Sequence, residues 1–169
     1  MTAAGRALLL HGHGDGPARV AAFAEALGAR TGFDVVTPTA PCSVEGGRAW
    51  WAEDAGGPTP DTVDALRAAH DDVDLVVGYS QGAALALTLG LGRRLVVIAG
   101  FLCDVAPDLD HRPEVLVVHG AHDDVVDPVH ARMIGRRAER AGCTTTLHLH
   151  DGGHELEAAT AVVLEHLGG

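Results

Sequence analysis

Short apolar runs rich in Val, Leu and Ile recur along the chain. Each is followed by a longer stretch in which apolar residues return every three or four positions. The first pattern suits buried strands and the second amphipathic helices. Strands are predicted at residues 7–11, 34–38, 74–78, 95–99, 115–119 and 145–150, and helices at 17–30, 60–70, 81–91, 128–141 and 155–167. Strand and helix alternate, as in an α/β fold whose parallel strands are joined by helical crossovers. Punctuation agrees with these limits. Gly28 and Gly32 close the first helical stretch, and Pro60 and Pro128 stand where a first helical turn tolerates proline. Residues 37–58 and 100–113 stay irregular. Both follow strand C-termini, where open α/β sheets hold ligands, and the first is long enough to require a functional or packing reason. No internal repeat or low-complexity segment interrupts the pattern.

A length of 169 residues fits one domain. Hydrophobic residues make up 47% but aromatic ones only 4%, so small aliphatic side chains must pack helices closely onto the sheet. No stretch approaches the ~20 apolar residues needed to span a bilayer. The opening MTAAGRALLL is too brief for a secretory signal and reads as a first strand. Cys42, Cys103 and Cys143 are odd in number and widely spaced, which indicates neither a disulfide framework nor a cysteine-rich zinc site. A reducing cytoplasm is the expected setting. The formal charge of −11 argues against nucleic acid as a partner, because phosphate binding requires clustered cations. Eleven histidines soften that charge at mildly acid pH without reversing it at neutrality.

The sharpest chemical signal is Gly78-Tyr79-Ser80-Gln81-Gly82, between a predicted strand and a predicted helix. A serine attacks a carbonyl only if its Oγ projects clear of the backbone, and a tight strand-to-helix turn achieves this. Positions two before and two after must be small because strand and helix crowd there, and both are glycine. The helix start also offers N–H groups to a developing oxyanion.

Such a serine needs a base, and the base an orienting carboxylate. On sheets of this kind the chain order is Ser, Asp or Glu, then His, each after a strand. The strand at 115–119 leads into His119-Gly120-Ala121-His122-Asp123-Asp124, and the last strand into Asp151-Gly152-Gly153-His154. Asp123 is the favoured acid, with Asp124 its rival. Asp127 suits the cap of the helix that follows. His154 is the favoured base, since His148 and His150 alternate with Leu147 and Leu149 on one strand face near a sheet edge, and His70 and His166 sit late in helices.

After the first strand comes His11-Gly12-His13-Gly14-Asp15-Gly16. The backbone N–H groups of His13 and Gln81 are the expected oxyanion donors. A competing reading takes His11, His13 and Asp15 as part of a zinc signature of the metallo-β-lactamase type, with His119, His148 and His150 as further ligands. Gly16 stands where that signature has a histidine, and a metal site leaves the Ser80 turn unexplained.

Together LLLHGHGD, TPTAP with Trp50-Trp51, VVGYSQGAALAL, VVHGAHDDVV and GGHE resemble the phospholipase/carboxylesterase family of α/β-hydrolases, which includes acyl-protein thioesterases. The resemblance covers the chain from end to end and implies a minimal α/β-hydrolase fold. That fold has about six parallel strands in the order 2-1-3-4-5-6, helices on both faces and no large cap. It implies a triad of Ser80, Asp123 and His154, with Asp123 in the family's H-G-x-x-D-x-x-V position. Family members are longer and carry an apolar residue where this chain has His13. Dienelactone hydrolases are also similar but use cysteine as nucleophile. The expected reaction is cleavage of a small or medium acyl ester or thioester, without cofactor or metal. Trp50, Trp51, Phe101 and Leu102 are the candidate substrate-binding residues. A hydrolase-fold binding protein without turnover is the alternative of a different class, and oligomeric state is left open.

Overall fold

The computed structural model describes residues 5–169. In chain order it contains β1 (Arg6–Leu10), α1 (Pro17–Thr31), β2 (Asp34–Val36), β3 (Cys42–Val44), β4 (Gly47–Ala49), a short 3₁₀ turn (Glu53–Ala55), α2 (Pro60–Ala69), β5 (Leu75–Tyr79), α3 (Gln81–Ala86), β6 (Arg94–Ile98), β7 (Glu114–Gly120), α4 (Val129–Arg140), β8 (Thr145–His150) and α5 (Leu156–Leu167). The main sheet has six strands in the order β2-β1-β5-β6-β7-β8, every pairing parallel. This is the expected 2-1-3-4-5-6 order once the separate β3–β4 ribbon is set aside.

The period of two along each strand divides the core. Leu8 and Leu10 of β1 face one side with Val63 and Leu66 of α2, all of α3's alanines and Ile134 of α4. Ala7 and Leu9 face the other with Val20, Phe23 and Leu27 of α1 and Leu156, Ala159 and Val163 of α5. Central strands β5, β6 and β7 are apolar on both faces, as a sheet covered on both sides requires. Edge strand β8 has no buried residue, and His148 and His150 stand there, at the sheet edge where the alternation put them.

Two predicted limits change. The helix predicted at 81–91 ends at Ala86, and the carbonyls of the three residues that follow bond to donors outside the segment. Asp108 N–H donates to Leu87 O (2.8 Å), while Arg67 donates to Thr88 O (3.0 Å) and Leu89 O (2.7 Å). Gly90, at φ +61, then turns the chain away. Within the irregular stretch 37–58 lies the β3–β4 hairpin, which Asp15 joins through an antiparallel bridge to Arg48. Among the described residues no helix is long and apolar enough to cross a membrane.

Candidate active site

β5 runs straight into α3 through Ser80, which sits at φ 53, ψ −118. A side chain at Gly78 would strike Gly82 O and Ala83, and one at Gly82 would strike the carbonyls of Leu10 and His11. The two glycines therefore let β1, β5 and α3 meet closely enough to hold the serine in a conformation L-residues rarely adopt. Ser80 N–H donates to Ile98 O (2.9 Å), tying the turn to β6.

The Ser80 hydroxyl lies 2.9 Å from His154 Nε2, and His154 Nδ1 lies 2.7 Å from Asp123 Oδ2. With the carboxylate as acceptor, Nδ1 carries the proton and Nε2 is left to accept from the serine. Asp123 Oδ1 accepts from Val125 N–H (2.9 Å) and Val126 N–H (2.8 Å). Burial alone would push this carboxyl up. The N–H of Val126, the His154 ring and the N–H of Val125 outweigh it and hold the group below the usual carboxylate range. The loops after β7 and β8 are stitched together by Ala121 N–H to His150 O (2.8 Å) and His122 N–H to Gly152 O (2.9 Å). Asp124, by contrast, is exposed. Asp127 accepts from Val129 N–H (2.8 Å) at the start of α4, the capping part its position suggested.

Two supporting side chains were not singled out in the sequence. Tyr79 donates its hydroxyl to His154 O (2.8 Å), with ring centroids 5.4 Å apart, and burial followed by the charge of Asp15 pushes the phenol up to about 12. The Gln81 side chain accepts from Trp50 N–H (2.8 Å) and donates to Trp51 O (3.0 Å), fixing the segment after β4 against α3. Both flank Ser80 within the motif, but nothing in spacing or residue type announces their side-chain partners.

The loop after β1 passes directly beside the serine, since a side chain at Gly12 would stand 3.3 Å from Ser80 Cβ. Among the described residues neither the His13 N–H nor the Gln81 N–H enters a hydrogen bond. An open cleft of about 340 Å³ holds Ser80, Gln81 and His13, and is walled by Trp51, Phe101, Leu102, Val125 and Val126, with Glu53 and Asp104 beside them. Trp51 meets Phe101 edge-on, centroids 6.3 Å apart. Trp50 corrects the expectation: it is 2% exposed and lines no part of this cleft. Its indole N–H donates to His11 O (2.8 Å) and its ring packs on His11, so it belongs to the core. A groove of about 510 Å³ between α4 and residues 102–110 is larger but holds none of the Ser80, His154 and Asp123 side chains.

The residues of the zinc reading do not converge. His11 donates from Nδ1 to Gly12 O (2.9 Å) and accepts at Nε2 from Ala40 N–H (3.2 Å), so both ring nitrogens are in use inside the core. His148 and His150 lie on the β8 edge. Among the described residues no three His, Cys, Asp or Glu side chains are grouped to hold a metal ion.

A parallel sheet in this strand order, with a serine turn after its third strand and a carboxylate and histidine after its last two, is the α/β-hydrolase fold. No protein-family model matches the chain, and no curated protein matches it in sequence. Solved structures do. A Mesorhizobium loti carboxylesterase superposes with a TM-score of 0.78 at 21% identity, covering 97% of this chain and 88% of the other. A Bacillus cereus carboxylesterase gives 0.76 at 17% identity, over 96% and 87%. Zea mays acyl-protein thioesterase 2 gives 0.74 at 24% identity, over 100% and 96%. The chain thus shares the fold of these two carboxylesterases and this thioesterase over nearly its full length.

Proposed function

We propose that this chain is a serine hydrolase that cleaves a small or medium acyl ester or thioester through an acyl-enzyme. The observation that carries the reading is the unbroken relay from Ser80 through His154 to Asp123, at 2.9 and 2.7 Å. Ser80 Oγ attacks the carbonyl carbon while His154 Nε2 takes its proton, and Asp123 steadies the resulting imidazolium. The N–H groups of His13 and Gln81, free of other partners, receive the oxyanion. As the C–O or C–S bond breaks, His154 returns the proton to the leaving group. Water then repeats the sequence on the acyl-serine and releases the acid. Trp51, Phe101 and Leu102 offer the acyl group an apolar wall in a cleft whose size suits a short chain. The carboxylesterases and thioesterase that share the fold lend this reading further support.

Intact mass after exposure to a fluorophosphonate tests it. One adduct is expected on the unmodified chain and none on Ser80→Ala, with ester hydrolysis falling by about 10⁴-fold or more in the variant. A folded chain that takes up no adduct and turns over no ester would instead be a binding protein on a hydrolase fold.

A further inference from the structure

β7 ends by delivering a second histidine to the same carboxylate. His119 is 0% exposed. Its Nε2 stands 2.9 Å from Val126 O and 3.1 Å from Asp123 Oδ2, the oxygen that also faces His154. Both neighbours only accept, because a carbonyl has no proton and Asp123 is held in its ionised form. The proton of the neutral ring therefore sits on Nε2, aimed at Val126 O with its positive end against Oδ2. Nδ1 is left buried with no partner among the described residues. A buried nitrogen without a partner is a cost that simple packing would avoid, since a Leu of similar size would fill the space.

The contact closes a ring of interactions. His119 holds the carbonyl of Val126, the N–H groups of Val126 and Val125 hold Oδ1, and Oδ2 is turned toward His154. We propose that His119 is a positioning residue for the triad acid. It fixes which carboxylate oxygen meets His154 and draws off part of that oxygen's charge, so that Asp123 orients the imidazole without binding its proton too firmly. This rests on the serine-hydrolase reading. The titratable groups facing His119 are Asp123 from its own loop, His154 from the loop after β8 and His150 from β8 itself, with Tyr79 of β5 beyond His154.

The test follows the His154 ring by NMR across pH in the full chain and in His119→Leu, His119→Gln and His119→Asn. It is run beside kcat and KM for a short-chain p-nitrophenyl ester. Gln places an N–H where Nε2 was and Asn does not. In His119→Leu the His154 midpoint is expected to move up, kcat to fall by about 10- to 100-fold, the size of loss seen when the outer hydrogen-bond partner of a metal ligand is removed, and KM to hold. Gln is expected to restore both readings and Asn neither. An unmoved or lowered midpoint, or equal behaviour of Gln and Asn, would overturn the assignment. If His119→Leu does not fold, the Gln and Asn pair decides alone. Absence of turnover and of Ser80 labelling in the unmodified chain would sink the hydrolase reading, while the NMR series would still decide what His119 does to the carboxylate.

Discussion

Ser80 keeps a positive φ that a glycine would adopt without cost. Ser80→Gly is therefore expected to stabilise the chain by about 1 kcal/mol while abolishing probe labelling, read as a higher urea midpoint beside a blank mass spectrum. Asp123 sets a pH window. Its folded carboxyl titrates below the unfolded one, so its stabilising contribution is complete above the ordinary value of about 3.9 and lost as the pH falls through the folded value. The stability gap between the unmodified chain and Asp123→Asn should be widest at pH 7 in urea unfolding and shrink steadily as the pH falls below about 4. That Ser80, Asp123 and His154 come together was legible, because a serine on a strand-to-helix turn needs particular partners in a particular chain order. Trp50 and Trp51 were not separable in the sequence. What sets them is distant in sequence: the Gln81 side chain holds the Trp50 N–H and the Trp51 carbonyl, and His11 O takes the Trp50 indole N–H.

At the scale of elements, most helices and strands were legible within one or two residues, since apolar period and proline or glycine punctuation act locally. The end of α3 was not. Beyond Ala86 the carbonyls a longer helix would have used are taken by Arg67 on α2 and Asp108 before β7, groups that no local pattern links to residues 87–89. Arg67→Ala frees two carbonyls and the Asp108 carboxylate. Because the site is half-exposed, the expected cost is about 1 kcal/mol, measurable as a lowered midpoint in urea with probe labelling intact. Gly82→Ala acts at the opposite end of the same helix. Its methyl would meet backbone carbonyls of β1 that have no room to give. A loss of about 1 to 3 kcal/mol is expected, with labelling reduced because the serine turn must shift.

For the whole molecule, the net charge of −11 and the placing of Glu53 and Asp104 at the cleft make an anionic ester an unfavoured visitor. Of two esters matched in size, the anionic one should show the lower kcat/KM at low salt and gain as salt is added, while the neutral one stays level. The strand order was expected from the family resemblance; apolar alternation alone indicated only a parallel sheet joined by helices. The hairpin inside residues 37–58 escaped because its strands are only three residues each and pair chiefly with one another.

The division of labour among the loops has a consequence for redesign. Ser80, Asp123 and His154 leave the sheet after β5, β7 and β8, whereas Trp51, Glu53, Phe101, Leu102 and Asp104 come from the connections after β4 and β6. The hydrogen-bonded trio and most of the cleft wall thus travel on separate pieces of chain. Substitutions at Phe101, Leu102 and Asp104 are therefore expected to retune what the cleft admits, with Asp108 kept because it holds Leu87 O and Arg67.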